Sequence, residues 1–114
     1  MMKKYIALSN RYYSRKIYFE DVQYIEMEGH DVVIHTEKDM VTFRGTSKEM
    51  QKLIGNRKGF HVCHSYLIVN FNNMECMEDG EILFSNGEKK SIGKKNYGKT
   101  KAVFAQFIEN DSKL

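Results

Sequence analysis

The sequence has no proline and no tryptophan among its 114 residues, and only two cysteines. No apolar stretch approaches the roughly 18 residues that a membrane-crossing helix requires, so insertion into a membrane is not expected. Without proline, a low-complexity run or an internal repeat, nothing marks a linker, and the chain reads as one undivided domain. That length suffices for a single core but not for a core plus a separate regulatory module. Cys63 and Cys76 are too few for a disulfide scaffold, and no signal peptide is evident; both point to a soluble, cytoplasmic protein. Seven Met, seven Tyr and seven Phe can fill the core that tryptophan does not. The net charge of +3 is too small to name a partner, so the positions of the charges have to do so.

What is present is mostly short strands. "YIAL" in the opening "MMKKYIALSN" looks like a first strand. "RKIYF" (15–19), "VQYIEME" (22–28), "DVVIHT" (31–36) and "DMVTFR" (39–44) are rich in β-branched and aromatic residues and are divided by turn-like "GH" and "EK", the pattern of an antiparallel meander. In "QYIEME", Ile25 and Met27 alternate with Tyr24, Glu26 and Glu28, which predicts a sheet with one wet side. Asp79-Gly80 and Asn86-Gly87 are hairpin turn pairs that divide "MECME", "EILFS" and "KKSIG" into a second meander.

Two short helices are expected. "TSKEMQKLI" opens with Thr46 and carries Glu49 three residues later, a capping box, with Met50, Leu53 and Ile54 on one face. "KKNYGKTKAVFAQFIE" places Tyr97, Phe104, Phe107 and Ile108 at helical spacing, with Gly98 a weak point near its start. The fold class is therefore mainly β: small antiparallel sheets with two helices.

"FHVCHSYLIVN" (60–70) has the residue types of a metal or nucleophile site. On a strand, His61 and Cys63 point to one side and Val62 and His64 to the other, so at most two ligands converge. A closed zinc site needs four, and Cys76, His30 and His35 are scattered. Adjacent strand residues cannot face each other as nucleophile and base, and no pair of titratable groups is placed for acid–base work. Neither metal, cofactor nor catalytic residue is expected. The simpler reading is a strand entering the core with one buried thiol.

The distribution of charge is more informative. From Lys89 to Lys101, "KKSIGKKNYGKTK" carries six lysines and no acid, whereas "FEDVQYIEMEGHD" holds five acids and no Lys or Arg. A lysine run is usually a solvated face. Here, however, Lys94 and Lys95 fall at the start of the last helix, where the macrodipole disfavours cations by about 0.3 to 1 kcal/mol. Lysines beside the free N–H groups of a helix start suit phosphate, and the segment containing Lys90, Ser91, Lys94 and Lys99 is long enough to follow a nucleic-acid backbone.

These stretches, taken in order, resemble the LytTR DNA-binding domain, the output module of many bacterial response regulators. The resemblance rests on "YFEDVQYIEMEGHDVVIHTEKDMVTFRGTSKEMQKLI", on "FHVCHSYLIVN" with its following hairpin, and on "NGEKKSIGKKNYGK" before a terminal helix; it covers about residues 15 to 108. It implies a domain that enters successive major grooves through loops rather than a recognition helix. Carried over by motif, His30 in "EGHDVV" is the first reader. Ser65 takes the base-contact position of the second loop, where the family has arginine or asparagine. It reaches less far and can bond to several base pairs. Lys95 stands where the third loop usually has a base-reading arginine, with Asn96 beside it; lysine lacks the planar fork that reads guanine bidentately. His64 is expected to orient the second loop, Asn70 to cap the turn into "FNN", and Cys63 to lie in the core.

The same resemblance implies double-stranded DNA as partner, bound by two protomers at paired direct repeats. Family members often carry a receiver domain, for which this chain has no room; it reads as either a stand-alone regulator or an excised output domain, and the opening residues favour the former. Two other classes remain open at this stage. An RNA- or single-strand-binding β module would use Tyr12, Tyr13, Tyr18 and Tyr24 as stacking platforms. A protein-interaction module would show no salt-steep binding to nucleic acid.

Overall fold

The computed structural model describes residues 4–111, so Met1, Met2 and Lys3 of the opening "MMKKYIALSN" lie outside the described residues. Among the described residues, ten strands form three antiparallel sheets: β1 (Tyr5–Ser9) pairs with β2 (Ser14–Tyr18); β3 (Val22–Glu28), β4 (Asp31–Thr36), β5 (Met40–Arg44), β6 (Phe60–His64) and β7 (Leu67–Asn70) make a sheet of order β5-β4-β3-β7-β6; β8 (Met74–Glu78), β9 (Glu81–Phe84) and β10 (Lys89–Ser91) make the third. Helix α1 (Ser47–Ile54) follows β5, and α2 (Lys94–Asp111) closes the chain. The expected second meander is β8 to β10. The first is corrected in one respect: β2 leaves the sheet to pair with β1, and β7 takes the place beside β3.

Strand β3 lies at the centre, and both of its faces are covered. Ile25 and Met27 join Val32, Ile34 and Ile68 on one face, under the β1–β2 hairpin and the Met50 and Ile54 side of α1. Tyr24 points the other way, into a second cluster with Leu67, Val69, Phe71, Ile82, Phe84 and Phe104. The alternation predicted for "QYIEME" is present, but the side expected to be wet is not. The third sheet and α2 cover it, and Tyr24 is only 4% exposed.

The helices follow their capping and face signals in part. Thr46 accepts from the Glu49 N–H while the Glu49 carboxylate accepts from the Thr46 N–H, the expected capping box. Leu53, placed on the apolar face by spacing, is exposed; Met50 and Ile54 alone are buried there. The second helix is not short: it runs 18 residues straight through Gly98. Phe104 anchors it, with Tyr97 and Phe107 partly buried, whereas Ile108 faces solvent and Thr100 is fully buried instead.

Asn70 ties the core together. Its amide donates to Val22 O at 2.9 Å, and its Oδ1 accepts from the Asn72 N–H at 3.1 Å and Asn72 Nδ2 at 3.0 Å, capping the 3-10 turn Phe71–Asn73 as expected. The residue is 1% exposed, so its hydrogen bonds are shielded from water. Asn70→Ala should lower unfolding free energy by about 2 to 4 kcal/mol, through the loss of these three hydrogen bonds. Thr46→Ala, which removes an exposed cap, should cost about 1 kcal/mol; urea titration of both variants compares them.

Candidate nucleic-acid interface

Antiparallel pairing decides which loops share an end of the central sheet. Strand β3 is antiparallel to both β4 and β7, with Glu28 opposite Asp31 and Glu26 opposite Leu67. The Gly29–His30 turn and the Ser65–Tyr66 turn therefore leave the sheet at the same end. A hydrogen bond from the Met27 N–H to Tyr66 O, 3.1 Å, joins them directly.

Each turn has a local reason for its shape. Gly29 supplies φ 61°, the left-handed conformation that the tight β3–β4 turn requires. His30 is exposed at the tip, while its carbonyl accepts from the Gly45 N–H at 3.0 Å, holding the turn against the start of α1. At the second turn, His64 Nδ1 accepts from the Tyr66 N–H at 3.1 Å, the orienting contact expected of it. Ser65 is exposed, and Tyr66, the last residue of the loop expected at His64 to Tyr66, is 65% exposed beside it.

The third segment reaches this end through α2. The helix packs along β6: the Cys63 thiol meets the Thr100 hydroxyl, Phe104 and Phe107 lie against Phe71 at 5.3 and 5.4 Å, and Lys58 pairs with Asp111 at 3.3 Å. Residue 111 is thus near the beginning of β6 and residue 100 near its end. Lys94, six residues before Thr100, projects about 9 Å farther at 1.5 Å per residue, toward the end that carries the two turns. Gly93 has no side chain to cap this helix start, and its carbonyl accepts from the Tyr97 N–H at 2.8 Å. The first turn holds no acid, and Ser91, Lys94, Lys95 and Lys99 are exposed, with Asn96 half-buried.

Of the expected contact residues, His30 and Ser65 lie in the two turns, Lys94, Lys95, Asn96 and Lys99 on the first turns of α2 directed toward the same end, and Ser91 at the end of β10 just ahead of that helix. Lys90 is placed differently. Its ammonium pairs with Glu26 and lies 5.7 Å above the Tyr24 ring, with its side chain only 28% exposed. Glu26 and Lys90 are 64 residues apart, and no local pattern links them. The end is not uniformly basic either, since exposed Glu28 and Asp31 flank His30.

The residues of "FHVCH" are engaged with the fold. His61 stacks on Phe71 at 5.2 Å, and burial pulls its imidazole below the ordinary range. Burial pushes the Cys63 thiol up, against a smaller opposing effect of Thr100. No group of three or more His, Cys, Asp or Glu among the described residues is placed to hold a metal ion. Nor is any helix among them long and apolar enough to cross a membrane.

A β-rich domain that gathers three loops, one of them a lysine-bearing helix start, at a single end of its sheet has the form of a module that grips through loops. The chain belongs to the LytTr DNA-binding domain family, whose sequence profile matches residues 5–105 and so includes β1, ahead of the resemblance first drawn from residue 15. Among solved structures it is similar to the LytTr DNA-binding domain of a response regulator from Bacillus cereus, with a TM-score of 0.69 and 20% identity over 93% of this chain and 97% of that one. No curated protein matches it.

Glu26 connects this end to pH. Burial alone would raise its carboxyl, but hydrogen bonding and charge from Lys90, then His35, outweigh that and hold it below the usual carboxylate range. A depressed carboxyl contributes stability above its unfolded pKa and loses it as pH falls through the folded one. The melting temperature should therefore fall between pH 5 and 3, and fall less in Glu26→Gln, in parallel thermal melts.

Proposed function

We propose that this protein is a transcriptional regulator that binds duplex DNA sequence-specifically, reading adjacent major grooves through the 29–30 turn, the 65–66 turn and the start of α2. The observation that carries this reading is the gathering of those three segments at one end of the central sheet, in a chain of a DNA-binding family. The work divides by chemistry. The free N–H groups of the α2 start and the exposed Lys94 and Lys99 suit phosphates, which position the protein without reading sequence. His30 sits between acids on a pinned turn, so its imidazole, rather than local positive charge, is what it offers to a base edge. Ser65 and Lys95 are the corresponding readers of the second and third segments. Two protomers on paired direct repeats are the assembly that accompanies this reading.

Single-stranded nucleic acid is the less favoured partner. Such modules need neighbouring exposed aromatics as stacking platforms. Of the four tyrosines considered, Tyr24 is stacked between His35 and Phe84, at 4.0 and 4.9 Å, and Tyr12 is the one that stands well out at 82% exposure. Unlabelled duplex should displace a bound duplex probe far better than either separated strand; equal displacement would turn the reading toward single strands.

Two mutational outcomes distinguish positioning from reading. Lys94→Ala and Lys99→Ala should weaken binding to all duplexes alike, each flattening the salt slope by about one unit. His30→Ala should cost about 1 to 3 kcal/mol of specific binding with non-specific affinity nearly intact, and Lys95→Ala should add a general loss to a specific one. If His30→Ala changes neither affinity, the first turn is not part of the reading surface.

A further inference from the structure

Beneath the exposed lysines, a part-buried charge cluster joins two of the sheets. Glu26 accepts from His35 Nε2 at 2.8 Å with one carboxylate oxygen and from Lys90 Nζ with the other. His35 is 8% exposed at its side chain and Glu26 20%. The Tyr24 ring stacks flat on the imidazole at 4.0 Å, and Phe84 of β9 stacks on Tyr24 in turn. His35 Nδ1 faces Glu88 at 3.5 Å without a hydrogen bond.

Ion pairs withdrawn from water seldom add stability over apolar residues of similar volume, so the cluster calls for a reason other than stability. Its position supplies one. Glu26 and His35 stand on β3 and β4, the two strands whose connecting turn carries His30. Lys90 stands on β10, three residues before Gly93 and four before Lys94, on the strand that delivers the start of α2. Elsewhere the central and third sheets meet through one long neutral hydrogen bond, Ser85 Oγ to Gln23 Oε1 at 3.3 Å, and through apolar side chains, which set their separation but tolerate sliding. A charge-assisted hydrogen bond between named atoms does not.

We propose that Glu26 is a positioning residue that fixes the start of α2 relative to the His30 turn, so that Lys90 serves the interface as a strut rather than as a phosphate ligand. This rests on the duplex-binding reading above and assigns two residues within it. The lysine run is then of two kinds: the exposed lysines meet DNA, and Lys90 holds them in place for it. The strut and the phosphate ligand differ in sign. If Lys90 met phosphate, Glu26 would compete with DNA for its ammonium, and neutralising Glu26 would strengthen binding. If Lys90 is a strut, neutralising Glu26 weakens specific binding although a negative charge near the DNA has gone.

The test is a double-mutant cycle of Glu26→Gln, Lys90→Met and the pair together. Each is measured across salt against a duplex selected from random sequence and against an unrelated one. Both single variants should lose about tenfold in specific affinity with an unchanged salt slope, and the pair should lose no more than either alone, the pattern of coupled residues. A slope flattened by about one unit in Lys90→Met, or tighter binding in Glu26→Gln, would make Lys90 a phosphate ligand and overturn the proposal. Additive losses would overturn it as well. Should Glu26→Gln fold poorly, Glu26→Asp keeps the charge and withdraws it by one methylene. It should lose specific affinity, and wild-type binding by it would show that position does not matter.

Amide hydrogen exchange of the DNA-free protein separates this idea from the functional one. Exchange across residues 89–93 should rise in both single variants, and unchanged exchange would dispose of the strut whatever the protein binds. Absence of salt-dependent duplex binding by the wild type would instead overturn the duplex reading, and is told apart because exchange is measured without DNA.

Discussion

The structure depends on one strand being covered on both faces. β3 is seven residues long, and its alternating side chains feed two separate cores: Ile25 and Met27 into one, Tyr24 into the other. A strand that anchors two clusters cannot slip by one residue, because a slip would exchange the two sets and place Glu26 and Glu28 where the β1–β2 hairpin packs. With its register fixed, the positions of β4 and β7 follow by backbone pairing. The position of both turns at the end of the sheet is therefore set by the packing of β3, while Gly29 and His64 give each its local shape.

The other end of the sheet shows how connection and core are held together. Asn70 closes β7 and bonds back to Val22 at the beginning of β3, and Asn73 donates to Val22 O and Glu20 O at 2.8 Å each. On the opposite flank, Arg15 makes two hydrogen bonds to Asp39, at 2.9 and 3.0 Å, tying the β1–β2 hairpin to the β4–β5 turn. That pair is exposed and contributes little to stability, whereas the Asn70 contact to Val22 is buried, where a hydrogen bond is shielded from water. The polar work of holding the fold is concentrated away from the loops, which leaves His30, Ser65 and the exposed lysines available for a partner.

The histidines and cysteines show why residue type alone misleads. His61, Cys63 and His64 fall within four positions, yet one is stacked on Phe71, one is packed beside Thr100 and one accepts a backbone N–H. His35, isolated in the sequence, is the one that enters a charge cluster. Nearness along a strand counts for little, because alternate residues face opposite layers.

Sequence by itself determined the elements whose causes are local. The alternation of β3, the turn pairs Asp79-Gly80 and Asn86-Gly87, the capping box at Thr46 and the asparagine cap at Asn70 each depend on residues a few positions apart, and each was legible. The ordered set of motifs was sufficient to place the chain in its family. Only the tertiary structure decided what depends on distant partners. It gave the second face of β3 a cover of β8 to β10 and α2, and left Leu53 and Ile108 in water because no element reaches them. It also joined Glu26 to Lys90 across 64 residues and brought three loops to one end of a sheet. The physical reason is the same in each case: spacing fixes the direction in which a side chain points, whereas burial and charge pairing depend on what another part of the chain brings to meet it.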